Sequence, residues 1–94
     1  MSYPNPVQEG FTIFSKSGCK FCDQVKELLL EENKPFTVYN CDVFLEQNKP
    51  AFLDHIKKIA GKECKTFPMV FLHGVFLGGF METYKLLLRD EDSE

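Results

Sequence analysis

Two short β-prone runs, Phe11-Thr12-Ile13-Phe14 and Phe36 to Cys41, flank a single stretch whose apolar residues recur at helical spacing. That order leaves few ways to fold, because strands joined through a helix lie parallel with a right-handed crossover. Within the stretch, from Cys19 onward, Phe21, Val25, Leu28, Leu29 and Glu32 share one side, while Asp23, Lys26, Glu27 and Glu31 fall on the other. Ser15 to Gly18 breaks the first run with small and polar residues, and Asn33-Lys34-Pro35 stops the helix.

The second half reads as a different unit. Asn48-Lys49-Pro50 has the form of a cap followed by proline in a first helical turn. Phe52, Ile56, Ile59 and Ala60 form the buried stripe of that helix, and Gly61 is its stop. Met69-Val70-Phe71-Leu72 and Val75-Phe76-Leu77 are separated only by His73-Gly74, which is hairpin spacing. Gly78-Gly79 opens a last helix with Tyr84, Leu87 and Leu88 inward. Residues 1–10 form an irregular, mobile lead-in, and residues 89–94 an acidic tail that frays. The predicted order is β-α-β-α-β-β-α: an α/β, thioredoxin-like arrangement with a four-stranded mixed sheet flanked by helices.

A chain of 94 residues is expected to form one domain, residues 1–94. Ten Phe among 44% hydrophobic residues supply a core without disulfide staples. A net charge of −3 lacks the basic footprint of broad nucleic-acid binding. No apolar run approaches the ~20 residues of a membrane span, and the first ten residues lack the pattern of a secretory signal. The expected setting is cytoplasmic and reducing, where four cysteines point to redox or metal chemistry rather than structural bridges.

Cys19-Lys20-Phe21-Cys22 falls where the first strand hands over to the first helix. A thiol attacks a disulfide as its thiolate, and a helix N-terminus offers unpaired N–H groups and about half a positive charge. Lys16 and Lys20 add positive potential close in sequence. Attack by Cys19 would form a mixed disulfide, which Cys22, one turn on, could displace to leave an internal disulfide. The same spacing also occurs as half of a zinc site. Thr66-Phe67-Pro68 precedes a strand; with a cis proline, the Phe67 N–H and C=O could pair with an extended peptide. It reads equally as a loop proline ending a turn. Gly78-Gly79 is either a plain turn or a place where a helix start receives a carboxylate. Cys41 reads as a small core residue, Cys64 as a bystander near the site, and His55 and His73 as surface residues. Lys57-Lys58 reads as a solvated helix face.

Cys-x-x-Cys, Thr-x-Pro and Gly-Gly in this order resemble the glutaredoxin family. The segments Phe14-Ser15-Lys16-Ser17-Gly18-Cys19-Lys20-Phe21-Cys22, Gly61 to Phe71 and Leu77-Gly78-Gly79-Phe80 carry the resemblance, which runs from Phe11 to Leu88. The short dithiol type is the most similar by pattern. The resemblance implies glutathione as reductant, no metal, and a monomeric oxidoreductase acting in electron transport and cell redox homeostasis. Protein disulfides (ribonucleotide reductase is a typical partner) and glutathione-mixed disulfides would be the substrates, with no nucleic-acid or membrane partner. Cys19 and Cys22 would be catalytic. Lys16, Phe21, Thr66, Phe67, Pro68, Gly79, Phe80, Met81 and Glu82 would bind glutathione, Lys16 at its glycyl carboxylate and the Gly79–Glu82 turn at its γ-glutamyl end. Lys20 replaces the family's usual Pro, and Phe21 its more frequent Tyr. Met81-Glu82 replaces Ser/Thr-Asp, removing a hydroxyl and lengthening the acid.

Rival readings use the same residues differently. One is a redoxin reduced directly by thioredoxin reductase, which the altered turn permits. Another is an iron–sulfur cluster carrier in which Cys19 and glutathione bridge two irons in a dimer. A third is a structural zinc module built from Cys19, Cys22, Cys41 and Cys64, which lacks a second close Cys/His pair.

Overall fold

The computed structural model describes residues 2–92. Its elements are β1 (Phe11–Ser15), α1 (Lys20–Glu31), β2 (Phe36–Asn40), α2 (Asp42–Ala60), β3 (Met69–Leu72), β4 (Val75–Gly78) and α3 (Phe80–Asp92). The sheet order is β2-β1-β3-β4. β1 and β2 are parallel, with Phe11 opposite Phe36 and Ser15 opposite Asn40. β3 runs antiparallel to both β1 and β4. The expected α/β architecture is the observed one.

The central strand explains the two-layered cover. Every residue of β1 is buried, because it pairs on both edges and is covered on both faces. Phe11 and Ile13 join Val25, Leu29, Val70 and Leu87 in one apolar cluster, supplied by α1 and α3. Phe14 joins Phe52, Ile56, Met69 and Phe71 in the other, under α2. This alternation follows from the period of two along a strand.

The punctuation is local and legible. Asn33 adopts φ 56 and ends α1. Gly61 closes α2 in the left-handed region at φ 80, its N–H donating to Lys57 O at 2.9 Å. His73 (φ 51) and Gly74 (φ 83) make the two-residue turn joining β3 to β4.

Five expectations need correction. α2 begins at Asp42 rather than at the Asn48 cap. The helix is broken at Asn48 (φ −162), where Asn48 Oδ1 still accepts the Ala51 N–H at 3.2 Å, so the expected cap marks the start of the second segment. The early turn goes unread in the sequence because its start is marked only by Asn40, whose Oδ1 accepts the Asp42 N–H at 2.9 Å. On α3, Leu87 points inward as expected, but Tyr84 (40%) and Leu88 (38%) are exposed, and Thr83 is buried in their stead. The lead-in is irregular yet tied down: Tyr3 lies edge-on to Phe44 and Phe52, each at 5.3 Å between ring centroids. His55, half-buried rather than on the surface, holds Pro4 O at 3.2 Å through Nε2. The acidic tail remains helical to Asp92; residues 93–94 and Met1 lie outside the described residues. Among the described residues, no helix is long and apolar enough to cross a membrane.

Candidate active site

Cys19 is the N-cap of α1, in extended conformation (φ −102, ψ 108). Its side chain therefore stands where a helix leaves its first N–H groups without backbone partners. Cys19 Sγ accepts the Cys22 N–H at 3.2 Å. Cys22 is wholly buried one turn on, while Cys19 is partly exposed. Burial, reinforced by its hydrogen bond with Cys19, pushes the Cys22 thiol above the ordinary value. The pair is thus asymmetric: a partly exposed sulfur that meets one N–H donor, and a buried one kept protonated.

The Phe67-Pro68 peptide bond is cis. The Phe67 carbonyl lies 3.6 Å from Cys19 Sγ and accepts from the thiol. Lys16 Nζ sits 5.4 Å from the centre of the Phe67 ring, so the loops before α1 and before β3 meet at one rim. From that rim a groove of about 450 Å³ opens between Phe21, Thr66, Phe67, Pro68, Gly79, Phe80, Met81 and Glu82. Eight of the nine residues expected to hold a tripeptide line this one groove, and Lys16 borders it through Phe67. A larger cleft of about 500 Å³ near Gly10, Pro35 and His73 contains no cysteine.

The Gly-Gly turn differs from expectation in one respect. The Gly79 N–H is not open to an incoming carboxylate: it donates to Glu82 Oε1 at 2.7 Å. A Glu three residues into a helix reaches back to the cap N–H, which is half of a capping box. This contact holds the Glu82 carboxyl below its ordinary value. Thr83 Oγ1 donates to Gly79 O at 2.9 Å and completes the turn. Gly78 has φ 141, and a Cβ there would lie 2.5 Å from Glu82 Cγ, so the folded-back acid needs the glycine.

One contact that shapes the site is not visible in the sequence. Asp42, at the start of α2, accepts the Ser17 N–H at 2.9 Å and the Ser17 hydroxyl at 2.5 Å. It anchors the loop that presents Cys19. An acid two residues after the Asn40 that ends β2 is the sequence signal, but the partner is 25 residues away.

The other cysteines take no part in the groove. Cys41 is buried in the α2-side cluster, its thiol pushed up to about 12 by burial. Cys64 is partly exposed, donates to Lys62 O at 3.5 Å, and is also raised by burial. Among the described residues, no three His, Cys, Asp or Glu side chains converge as a metal site. Lys58 pairs with Asp54 at 3.3 Å on an exposed face.

Known proteins resemble this chain in sequence and in fold. The family model "Glutaredoxin" matches residues 11–77. Human "Glutaredoxin-2, mitochondrial" is 32% identical over 87 residues, covering 87% of this chain and 51% of its own length. The chain thus spans about half the length of the curated relatives it matches first. Among solved structures, glutaredoxin 1 from Francisella tularensis, complexed with cacodylate, superposes with a TM-score of 0.74 at 21% identity, over 87% of this chain and 95% of its own. A buckwheat glutaredoxin–glutathione complex superposes with a TM-score of 0.69 at 26% identity, over 86% and 69% of the two chains.

Proposed function

The chain belongs to the glutaredoxin family, and from that premise we propose that it is a thiol–disulfide oxidoreductase with glutathione as its reductant, Cys19 as nucleophile and Cys22 as resolving thiol. The observation that carries this reading is the groove walled by Phe21, Phe67 and the Gly79–Glu82 turn, whose Phe67 carbonyl lies 3.6 Å from Cys19 Sγ. Its wall mixes aromatic rings with a hydroxyl and a carboxylate, which suits a peptide ligand. Lys16 offers a cation at one end, and the Glu82 carboxylate stands at the other.

The chemistry follows from the asymmetry of the pair. The Cys19 thiolate attacks one sulfur of a substrate disulfide, forming a mixed disulfide as the substrate S–S bond breaks; the departing thiolate takes a proton. With a protein disulfide, Cys22 loses its proton, attacks Cys19 Sγ and releases the second substrate thiol, so the substrate leaves as a dithiol and the Cys19–Cys22 disulfide remains. Two glutathione molecules return the two electrons and leave as glutathione disulfide. With a glutathione-mixed disulfide, Cys19 keeps the glutathionyl group and a second glutathione removes it, so Cys22 is not required. Cys22 N–H, 3.2 Å from Cys19 Sγ, stabilises the sulfur whenever it leaves as thiolate.

The test is a coupled assay on the cysteine–glutathione mixed disulfide. NADPH consumption is followed with glutathione plus glutathione reductase, and separately with thioredoxin reductase. Turnover in the first system and little in the second is expected. The reverse result would replace glutathione by thioredoxin reductase as the electron donor.

A further inference from the structure

The groove does not end at the tripeptide site. Phe80, which forms part of its wall, also forms part of a second depression of about 330 Å³ between α1 and α3, together with Gln24, Glu27, Glu31 and Tyr84. The rings are arranged as a ladder: Phe21 to Phe80 at 6.0 Å between centroids, and Phe80 to Tyr84 at 6.0 Å with planes only 13° apart. Spacing of four residues on α3 continues the line to Leu88. Four side chains on this face are large, apolar and open to solvent: Phe21 at 53% exposure, Met81 at 51%, Tyr84 at 40% and Leu88 at 38%. Exposed apolar side chains gathered along one furrow, rather than scattered, mark an interaction surface. Two carboxylates, Glu27 and Glu31, stand one helical turn apart on its α1 bank.

We propose that this furrow is the docking strip for protein substrates, and that it selects disulfides whose flanking segment carries a bulky apolar residue and then a basic one. The proposal rests on the reading of the site as a disulfide reductase, and it adds the class of protein substrate. Continuity argues for a substrate rather than a second copy of the chain. The strip leads directly from the groove beside Cys19, so a segment attached to the cysteine under attack is delivered to it. Charge argues the same way: Glu27 and Glu31 attract a cation, and another copy would bring these same carboxylates against them. The aromatic ladder takes the apolar side chain by stacking or edge contact, and the acidic bank takes the Lys or Arg that follows.

The experiment compares three substrates on the intact protein. One is a peptide disulfide with Phe and Arg after the cysteine, the second the same peptide with Ser and Glu there, and the third the cysteine–glutathione mixed disulfide. Wild type is expected to favour the first peptide over the second by roughly tenfold in kcat/KM, about what one aromatic contact and one charge contact supply together. Tyr84→Ser, and separately the pair Glu27→Lys with Glu31→Lys, should each cut that preference to within about threefold. Neither should alter turnover of the mixed disulfide, which never reaches the furrow. Equal rates on both peptides, or a preference that survives both variants, overturns the strip. The mixed disulfide reads the glutathione assignment separately. If it is turned over only with thioredoxin reductase while the peptide preference holds, that assignment fails and the strip stands.

Discussion

Asp42 and Ser17 are joined by two hydrogen bonds, from the Ser17 N–H at 2.9 Å and from its hydroxyl at 2.5 Å. The start of α2 thereby holds the loop that carries Lys16 and Cys19, while the Cys41 N–H donates to Ser15 O at 2.8 Å just behind it. The loop before the nucleophile is thus fixed through Ser17 by a residue 25 positions on in the sequence.

Asp42→Ala should release that loop. Turnover of mixed disulfides is expected to fall by up to about tenfold, because small misplacements of a nucleophile are costly. Thermal stability should change little, since the carboxylate is at the surface. The Ser17 hydroxyl, and then its N–H, hold the Asp42 carboxyl below the ordinary 3.8. A carboxyl lowered by folding contributes fully above its unfolded value and loses that contribution as pH falls through the folded one. The clamp should therefore persist through mildly acidic pH and open only below about pH 4. Unchanged kinetics in Asp42→Ala would show that the loop keeps its place unaided.

Cys19→Ser should abolish turnover of every disulfide substrate. Cys22→Ser should retain the cysteine–glutathione mixed disulfide, because free glutathione can resolve the Cys19 adduct, and lose dithiol-dependent reduction of peptide disulfides. Steady-state rates on the two substrate types separate these outcomes. Activity in Cys19→Ser together with a dead Cys22→Ser would reverse the assigned roles.

Thiol modification should follow exposure and charge. One equivalent of iodoacetamide at neutral pH is expected to modify Cys19 first and Cys64 next, with Cys22 and Cys41 modified only after unfolding, as peptide mass spectrometry would report. Cys41 also makes an alkaline prediction. Its thiol is raised by burial from 9.0 to about 12, so its contribution is whole below about pH 9 and declines as pH rises toward 12. Cys41→Ala should flatten that alkaline limb in urea midpoints, while lowering stability at neutral pH through the small cavity it leaves.

The Gly79–Glu82 contact predicts a gain from substitution. Met81→Thr with Glu82→Asp restores a hydroxyl and shortens the acid, withdrawing it from the Gly79 N–H. One charge-assisted bond regained is worth ~1.5–3 kcal/mol. The apparent KM for glutathione should fall by about tenfold, with the alkylation rate of Cys19 unaltered. No gain in the double variant, combined with efficient reduction of wild type by thioredoxin reductase, would count against glutathione as donor.

Patterns whose partners lie within a few residues could be read without a structure. The parallel β1–α1–β2 unit, the His73-Gly74 hairpin turn and the Gly61 stop follow from local spacing and from backbone preferences that each residue carries itself. Cys19 at a helix start followed from the same logic, since a strand ending at Ser15 leaves only one turn before the apolar repeat begins. Relations between distant segments depended on how the layers closed. Asp42 could be recognised as an anchor only once β2 and β1 lay side by side in register, with Asn40 opposite Ser15. Tyr3 met Phe44 only because α2 starts a turn and a half before its visible cap. Tyr84 faces solvent because its helix is rotated by what Thr83 and Leu87 bury, and side chains of similar hydrophobicity on adjacent positions leave that angle undetermined until the sheet is present to pack against.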